Sequence, residues 1–129
     1  MKRYALSLRY ALEGVWHAFT TERNFRLFAG LYALSLVLSW MWDVSIRDWQ
    51  IVIFTGGIFL AVELVNTAVE HFSDAFVAHA KRENDHHTAA IKATKDIAAA
   101  ASLVCAIAWG AILLIIFWPH IPWQILMGR

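Results

Sequence analysis

Four polar residues follow one side of a segment that is otherwise built from apolar residues: Glu63, Asn66, Glu70 and Asp74. Spacings of three, four and four residues return each side chain to nearly the same azimuth of an α-helix. The apolar run 49–62 leads directly into this stripe. A carboxylate on a membrane helix is costly, so it usually faces a bundle interior or a polar cavity and marks function. The stripe therefore predicts a membrane-spanning helix that also carries chemistry.

The composition is typical of a membrane protein. Of the 129 residues, 60% are apolar and 16% are charged, whereas soluble domains have roughly half and a quarter. The length predicts a single domain over residues 1–129. The chain has one cysteine, Cys105, which excludes an intrachain disulfide. The net charge of +1 gives no reason to expect a nucleic-acid partner.

The hydropathy pattern predicts an all-α membrane protein, with an N-terminal amphipathic surface helix and three transmembrane helices. The surface helix covers residues 2–23, whose apolar side chains share a broad face. The predicted spans are residues 25–42, 49–70 and 97–118, and a polar cytoplasmic loop is predicted over residues 75–94. For the first helix, packing on the cytoplasmic ends of the spans is the alternative to lying in the membrane interface.

The distribution of basic residues predicts the orientation. Nine of the eleven Lys and Arg residues precede the first span or lie between the second and third, and Arg47 and Arg129 are the exceptions. The positive-inside rule assigns the side with this excess to the cytoplasm. The N-terminus and the end of the carboxylate stripe are therefore predicted on the cytoplasmic side. Trp40, Trp42 and Trp49 are predicted at the outer interface.

Charged residues of both signs are predicted to gather at the cytoplasmic boundary. Glu22 ends the surface helix, and Lys95 and Asp96 open the third span. Carboxylates suit a Mg²⁺ ion that also holds substrate phosphates, and basic residues suit the phosphates themselves. A further carboxylate can accept a proton from a hydroxyl. This combination favours phosphoryl transfer at a membrane surface.

The spacing alone leaves two other roles open for the stripe. Glu63 and Asn66 can line the ion path of a small oligomeric transporter or channel, or they can form interhelical hydrogen bonds in a structural membrane module. The chain has no glycine-rich phosphate loop, which excludes a soluble nucleotide-binding fold. His79, His86 and His87 match no zinc-site spacing and are predicted to lie in a solvated loop.

Three short motifs lie at the predicted cytoplasmic boundary. They are Glu-Arg-Asn-Phe-Arg at 22–26, Glu-Leu-Val-Asn-Thr-Ala-Val-Glu at 63–70 followed by Asp74, and Lys-Asp-Ile-Ala-Ala-Ala at 95–100. In type and order they resemble the small bacterial membrane kinases, the family of prokaryotic diacylglycerol kinase and undecaprenol kinase, and the resemblance covers residues 3–118. It implies a homotrimeric, ATP-dependent lipid kinase of phospholipid metabolism in the inner membrane, with Mg²⁺ as its cofactor.

The resemblance also implies roles for the matching residues. Glu63 stands at the position of the general base that takes the proton from the lipid hydroxyl, and Asn66 stands beside the γ-phosphate. Glu22 and Glu70 match the Mg²⁺ ligands, which also contact ATP. Further ATP contacts are implied for Arg3, Tyr10, Lys95 and Asp96.

The resemblance extends to the lipid substrate. Contacts with the lipid are implied for Trp16, Arg26, Glu63 and Ala99. Ala99 stands where glycine or serine is common in the family. Glu-Arg-Asn at 22–24 is more similar to the undecaprenol kinase branch, so undecaprenol is predicted in preference to diacylglycerol. Nucleotide contacts are not carried over to residues 75–94, because this interval is longer than the family's and carries a His-His pair.

Overall fold

Four helices make up nearly all of the chain that is described. The computed structural model describes residues 2–80, 86–121 and 123, and the side chains of residues 3–78, 89–121 and 123. The elements in chain order are α1 (Lys2–Thr21), α2 (Arg23–Met41), α3 (Ile46–Ala80), α4 (His86–Phe117) and a 3₁₀ turn (Trp118–His120). The prediction of an all-α chain is confirmed.

The helices α2, α3 and α4 are each long and apolar enough to cross a membrane. They correspond to the three predicted spans. Helices α3 and α4 contain 35 and 32 residues. Each is therefore about 50 Å long, whereas the hydrocarbon core of a bilayer is about 30 Å thick. Both helices must therefore continue beyond the apolar layer.

The prediction of a loop over residues 75–94 is wrong for most of that interval. Helix α3 continues to Ala80 and α4 begins at His86. These stretches contain six alanines, and alanine is the strongest helix former. Their polar residues, most of which lie in 86–94, therefore do not exclude them from the helices. The side chains of His79, His86 and His87 lie outside the described ones.

A single residue, Glu22, separates α1 from α2. Its backbone is extended (φ −97°, ψ 118°), and its side chain does not cap α2. Instead, Nη1 of Arg26 donates hydrogen bonds to the carbonyl oxygens of Phe19 (3.3 Å) and Thr20 (2.9 Å), which α1 leaves unpaired at its end. Among the described side chains of α1, Ala18 alone is buried. How α1 lies relative to the membrane stays a prediction.

Apolar and aromatic side chains hold the end of the bundle opposite Glu22 together. Val44 in the α2–α3 turn packs with Val52, Ile116 and Phe117. The ring of Trp42 packs edge-on against Phe117, with the centroids 5.2 Å apart. This core fixes the first half of α3 and the last half of α4 against the end of α2.

Aromatic rings join the three long helices halfway along the bundle. Phe59 of α3 stacks on Trp109 of α4 at 5.3 Å, and Tyr32 of α2 packs edge-on against Trp109 at 6.3 Å. The hydroxyl of Tyr32 donates a hydrogen bond to the carbonyl oxygen of Ile53 (3.1 Å). Gly56 makes this approach possible, because a Cβ at this position would collide with the Tyr32 ring and lie 3.2 Å from Nε1 of Trp109.

Gly56→Ala is expected to destabilise the bundle, because the new methyl group must displace the Tyr32 ring. The free energy of unfolding should fall by about 1–3 kcal/mol, the usual cost of overpacking. The matched control is Gly57→Ala, because a Cβ there meets no described atom within 4 Å. Its effect should be neutral or slightly stabilising, as alanine is the better helix former. Unfolding in mixed detergent micelles measures both, and equal stability of the two variants would contradict the packing argument.

Candidate active site

The deepest residue of the polar stripe, Glu63, is bonded to helix α4. Its side chain is buried, with 3% of its surface exposed, and the hydroxyl of Ser102 donates a hydrogen bond to its Oε2. Ser102 is itself 5% exposed. A buried carboxylate without a partner is strongly unfavourable. The hydrogen bond from Ser102 therefore offsets part of the cost of burying the Glu63 carboxylate between α3 and α4.

One turn further along α3, Asn66 and Glu70 form the next contact. Nδ2 of Asn66 donates a hydrogen bond to Oε1 of Glu70 (3.3 Å). The other amide atom, Oδ1 of Asn66, is buried and has no hydrogen-bond partner among the described residues. Unpaired buried acceptors are rare in native structures. This oxygen therefore marks a place for a ligand that donates a hydrogen bond or carries positive charge.

Glu22 reaches the same end of α3 through His71. Nε2 of His71 lies 2.7 Å from Oε1 of Glu22, and the ring of His17 packs edge-on against that of His71 at 5.6 Å. Because His71 directly follows Glu70, this contact brings the junction of α1 and α2 beside the second predicted metal ligand. Glu22 of the α1–α2 junction and Glu70 of α3 thus lie toward the same end of the bundle.

Lys95 is a charged residue that α4 contributes to this end of the bundle. Its Nζ donates a hydrogen bond to Oδ1 of Asp74 (2.7 Å), and the two side chains are 33% and 69% exposed. Lys95 and Ser102 are seven residues apart, so they share one face of α4. Helix α4 therefore contacts α3 at two levels: at Asp74, nearer the C-terminal end of α3, and at Glu63, about three turns earlier on that helix.

The structure brings five of the predicted residues to this end of the bundle: Glu22, Glu63, Asn66, Glu70 and Lys95. Asp96 is bonded differently, since Nζ of Lys92 donates to its Oδ2 at 3.2 Å. Their spacing of four residues on one helix face favours this local pair. The ATP contact predicted for Asp96 stays a prediction.

The remaining predicted substrate and ATP residues of α1, α2 and α4 lie apart from these contacts. The guanidinium group of Arg26 is bonded to the carbonyl oxygens at the end of α1. Trp16 and Ala99 are exposed. Arg3 and Tyr10 are also exposed, and neither forms a hydrogen bond or ion pair within the described residues. The roles assigned to these residues stay predictions.

Ser102 and His71 were not among the predicted site residues. The signal for Ser102 was its spacing of seven residues from Lys95, which places it on the face of α4 that is turned toward the stripe. His71 gave no such signal, because it lies next to the stripe in sequence and its partner, Glu22, is 49 residues away.

The donor set suits Mg²⁺. Glu22, Glu70 and Oδ1 of Asn66 supply the hard oxygen atoms that this ion prefers. Within the described residues no cluster of three or more His, Cys, Asp and Glu side chains is arranged to hold a metal ion. A Mg²⁺ ion shared with substrate phosphates needs only one or two carboxylates from the protein, and the unpaired oxygen of Asn66 fits that arrangement.

Comparison with known proteins decides between the roles that the residues left open. The family described as prokaryotic diacylglycerol kinase matches residues 9–117. The chain belongs to this family. The prediction of a lipid kinase is thereby confirmed, and the ion-path and structural alternatives lose their support.

Two relatives illustrate the range of this kinase family. Undecaprenol kinase of Bacillus subtilis is 34% identical over 121 residues, which cover 94% of this chain and 93% of the relative. Diacylglycerol kinase of Synechocystis sp. is 33% identical over 103 residues, which cover 80% of this chain and 55% of the relative. The chain therefore spans nearly the whole of the first relative and about half of the second.

Proposed function

We propose that this lipid kinase transfers the γ-phosphoryl group of ATP to the hydroxyl of undecaprenol at the cytoplasmic face of the bacterial inner membrane. The observation that carries this proposal is the depth of Glu63. Glu63 is buried, whereas Glu70 and Asp74 lie progressively closer to the C-terminal end of α3. A helix rises 1.5 Å per residue, so Glu63 lies about 10 Å deeper than Glu70. This separation suits a lipid hydroxyl on one side and a nucleotide on the other.

Glu63 acts as the general base in the proposed reaction. Its carboxylate accepts the hydroxyl proton of the lipid as the lipid oxygen forms a bond to the γ-phosphorus. The bond between that phosphorus and the β–γ bridging oxygen breaks, and ADP leaves with the electron pair. The transfer is direct, in one step. In this proposal Asn66, one turn from Glu63, donates a hydrogen bond to the transferred group.

Glu22 and Glu70 hold the nucleotide end of the site. They would bind Mg²⁺ together with Oδ1 of Asn66, the buried acceptor without a partner among the described residues. When bound, Mg²⁺ neutralises phosphate charge and orients the γ-phosphoryl group. Lys95 exchanges its contact with Asp74 for a phosphate oxygen. The remaining ATP contacts are proposed on the resemblance alone: Arg3, Tyr10 and Asp96.

Undecaprenol is the proposed acceptor for two reasons. The Glu-Arg-Asn segment at 22–24 is more similar to the undecaprenol kinase branch. The relative that this chain matches nearly from end to end is also an undecaprenol kinase. Diacylglycerol is the second candidate, because the Synechocystis relative bears that name. The exposed side chains of Trp16 and Ala99 are proposed to contact the lipid, and Arg26 to lie near its head.

The proposed orientation and assembly rest on charge and exposure. Arg23 directly follows Glu22, and Lys92 pairs with Asp96, so both lie toward the site end of the bundle, whereas the core around Trp42 lies at the other. This supports a cytoplasmic N-terminus. Large apolar side chains are exposed along all three spans. These surfaces suit lipid tails and further copies of the chain, and a homotrimer is the proposed assembly.

The purified protein is expected to move radiolabel from [γ-³²P]ATP onto undecaprenol in mixed micelles. Initial rates with undecaprenol and with diacylglycerol at equal mole fraction identify the acceptor, and heat-denatured protein is the control. A higher rate with undecaprenol supports the proposal. A higher rate with diacylglycerol would overturn the substrate assignment, and no label on either lipid would overturn the lipid kinase itself.

Glu70→Gln is expected to raise the Mg²⁺ concentration for half-maximal activity by about tenfold or more, since a ligand charge is lost. The matched control is Glu13→Gln. Glu13 is an exposed carboxylate on α1 that pairs with Arg9, so its Mg²⁺ titration should follow that of the wild type. If the Glu70→Gln titration is also unchanged at saturating ATP, Glu70 is not a metal ligand.

A further inference from the structure

Ser102 differs from the other helical hydroxyls in where its hydrogen bond goes. Serine and threonine within helices commonly donate to a carbonyl oxygen three or four residues earlier. Ser35, Ser39, Thr55 and Thr94 all do so. Of the hydroxyl side chains that form hydrogen bonds in the described residues, Ser102 alone donates to a side chain of another helix. Its acceptor is the carboxylate assigned here as the base.

The residues around Ser102 make this contact possible and bury it away from solvent. Ala98 and Ala106, four residues to either side on α4, are half-buried. Short side chains allow helix backbones to approach closely in membranes, so the short Ser102 side chain can reach Glu63 across the interface. On α3, Phe59 is buried one turn before Glu63 and Thr67 one turn after it.

The contact occupies only one of the two carboxylate oxygens. Ser102 donates to Oε2 of Glu63, and no hydrogen bond to Oε1 is formed by the described residues. A carboxylate side chain with a fixed Oε2 has little freedom left about its terminal torsion. Oε1 is thereby left to accept the proton of an incoming hydroxyl.

We infer that Ser102 is a positioning residue for the phosphoryl transfer, which holds the Glu63 carboxylate in the orientation that receives the lipid hydroxyl proton. This inference rests on the proposed function of Glu63. Misplacing a reactive group by about 1 Å can slow a reaction 100-fold, so a single hydroxyl at this place affects turnover more than binding.

The test compares Ser102→Ala with Ser102→Thr and with the control Ser39→Ala. Ser39 is fully buried, and its hydroxyl is bonded only to the carbonyl oxygen of Ser35 on its own helix. With Ser102→Ala, kcat is expected to fall about 10- to 100-fold, the effect of losing a hydrogen bond to a charged group. The KM values for ATP and lipid should stay within about threefold, since Ser102 is proposed to act through Glu63 and not through a contact with either substrate.

The variants separate positioning from packing. Ser102→Thr keeps the hydroxyl and should restore kcat to within about threefold of the wild type, while Ser39→Ala should leave it unchanged. A second readout is the double variant. In a Glu63→Gln background, adding Ser102→Ala should change the residual rate by less than about threefold, because the carboxylate that it positions is gone.

Each outcome has one meaning. Full kcat in folded Ser102→Ala, or equal losses in the Ala and Thr variants, overturns the positioning role. If Ser102→Ala does not fold, Ser102→Cys carries the test, because cysteine is similar in size and a weaker donor. Its kcat should then be reduced, and an undiminished value overturns the inference. Wild-type protein that phosphorylates no lipid overturns the proposed function instead.

Discussion

A carboxylate inside a membrane helix must be partnered, and this requirement organises the whole bundle. Glu63 is buried in α3, where neither water nor lipid compensates its polarity. Helix α4 supplies the partner through Ser102, so α3 and α4 have to pair closely along the same faces. Lys95 of α4 and Asp74 of α3 form a second polar contact between these helices, nearer the C-terminal end of α3. The register of the two helices is thus set by the polar groups of the candidate active site.

The apolar half of the molecule supports this arrangement from the other end. The core around Val52 and Phe117, together with the stack of Phe59 on Trp109, fixes the helices where no polar group is needed. Side-chain packing is specific there, because a Cβ at Gly56 would collide with the ring of Tyr32. Rigid packing at this end allows the site end to leave groups such as Oδ1 of Asn66 without a partner among the described residues.

The periodic features of the sequence predicted the helices and spans well, but they did not predict the contacts between residues that are far apart in sequence. Apolar runs located three spans, and the spacing of the stripe located the site. The partners of Glu63 and Glu22 lie 39 and 49 residues away in sequence, and no periodicity links them. The pairing of Asp96 with Lys92, one turn away on the same helix, was also not predicted. Helix α3 continues past Asp74 to Ala80, and the polar stretch 86–94 belongs to α4, because polarity and helix formation are independent properties.

The most direct test of the account is the single-turnover rate of Glu63→Gln, measured by rapid quenching with Mg²⁺-ATP and the lipid that the wild type prefers. The substitution keeps the shape of the side chain and an acceptor for Ser102 but removes the base. The account predicts unchanged Mg²⁺-ATP binding and a transfer rate reduced about 10²- to 10⁴-fold, the usual contribution of a general base. Transfer at the wild-type rate by a folded variant would contradict the claim that the buried carboxylate performs the chemistry.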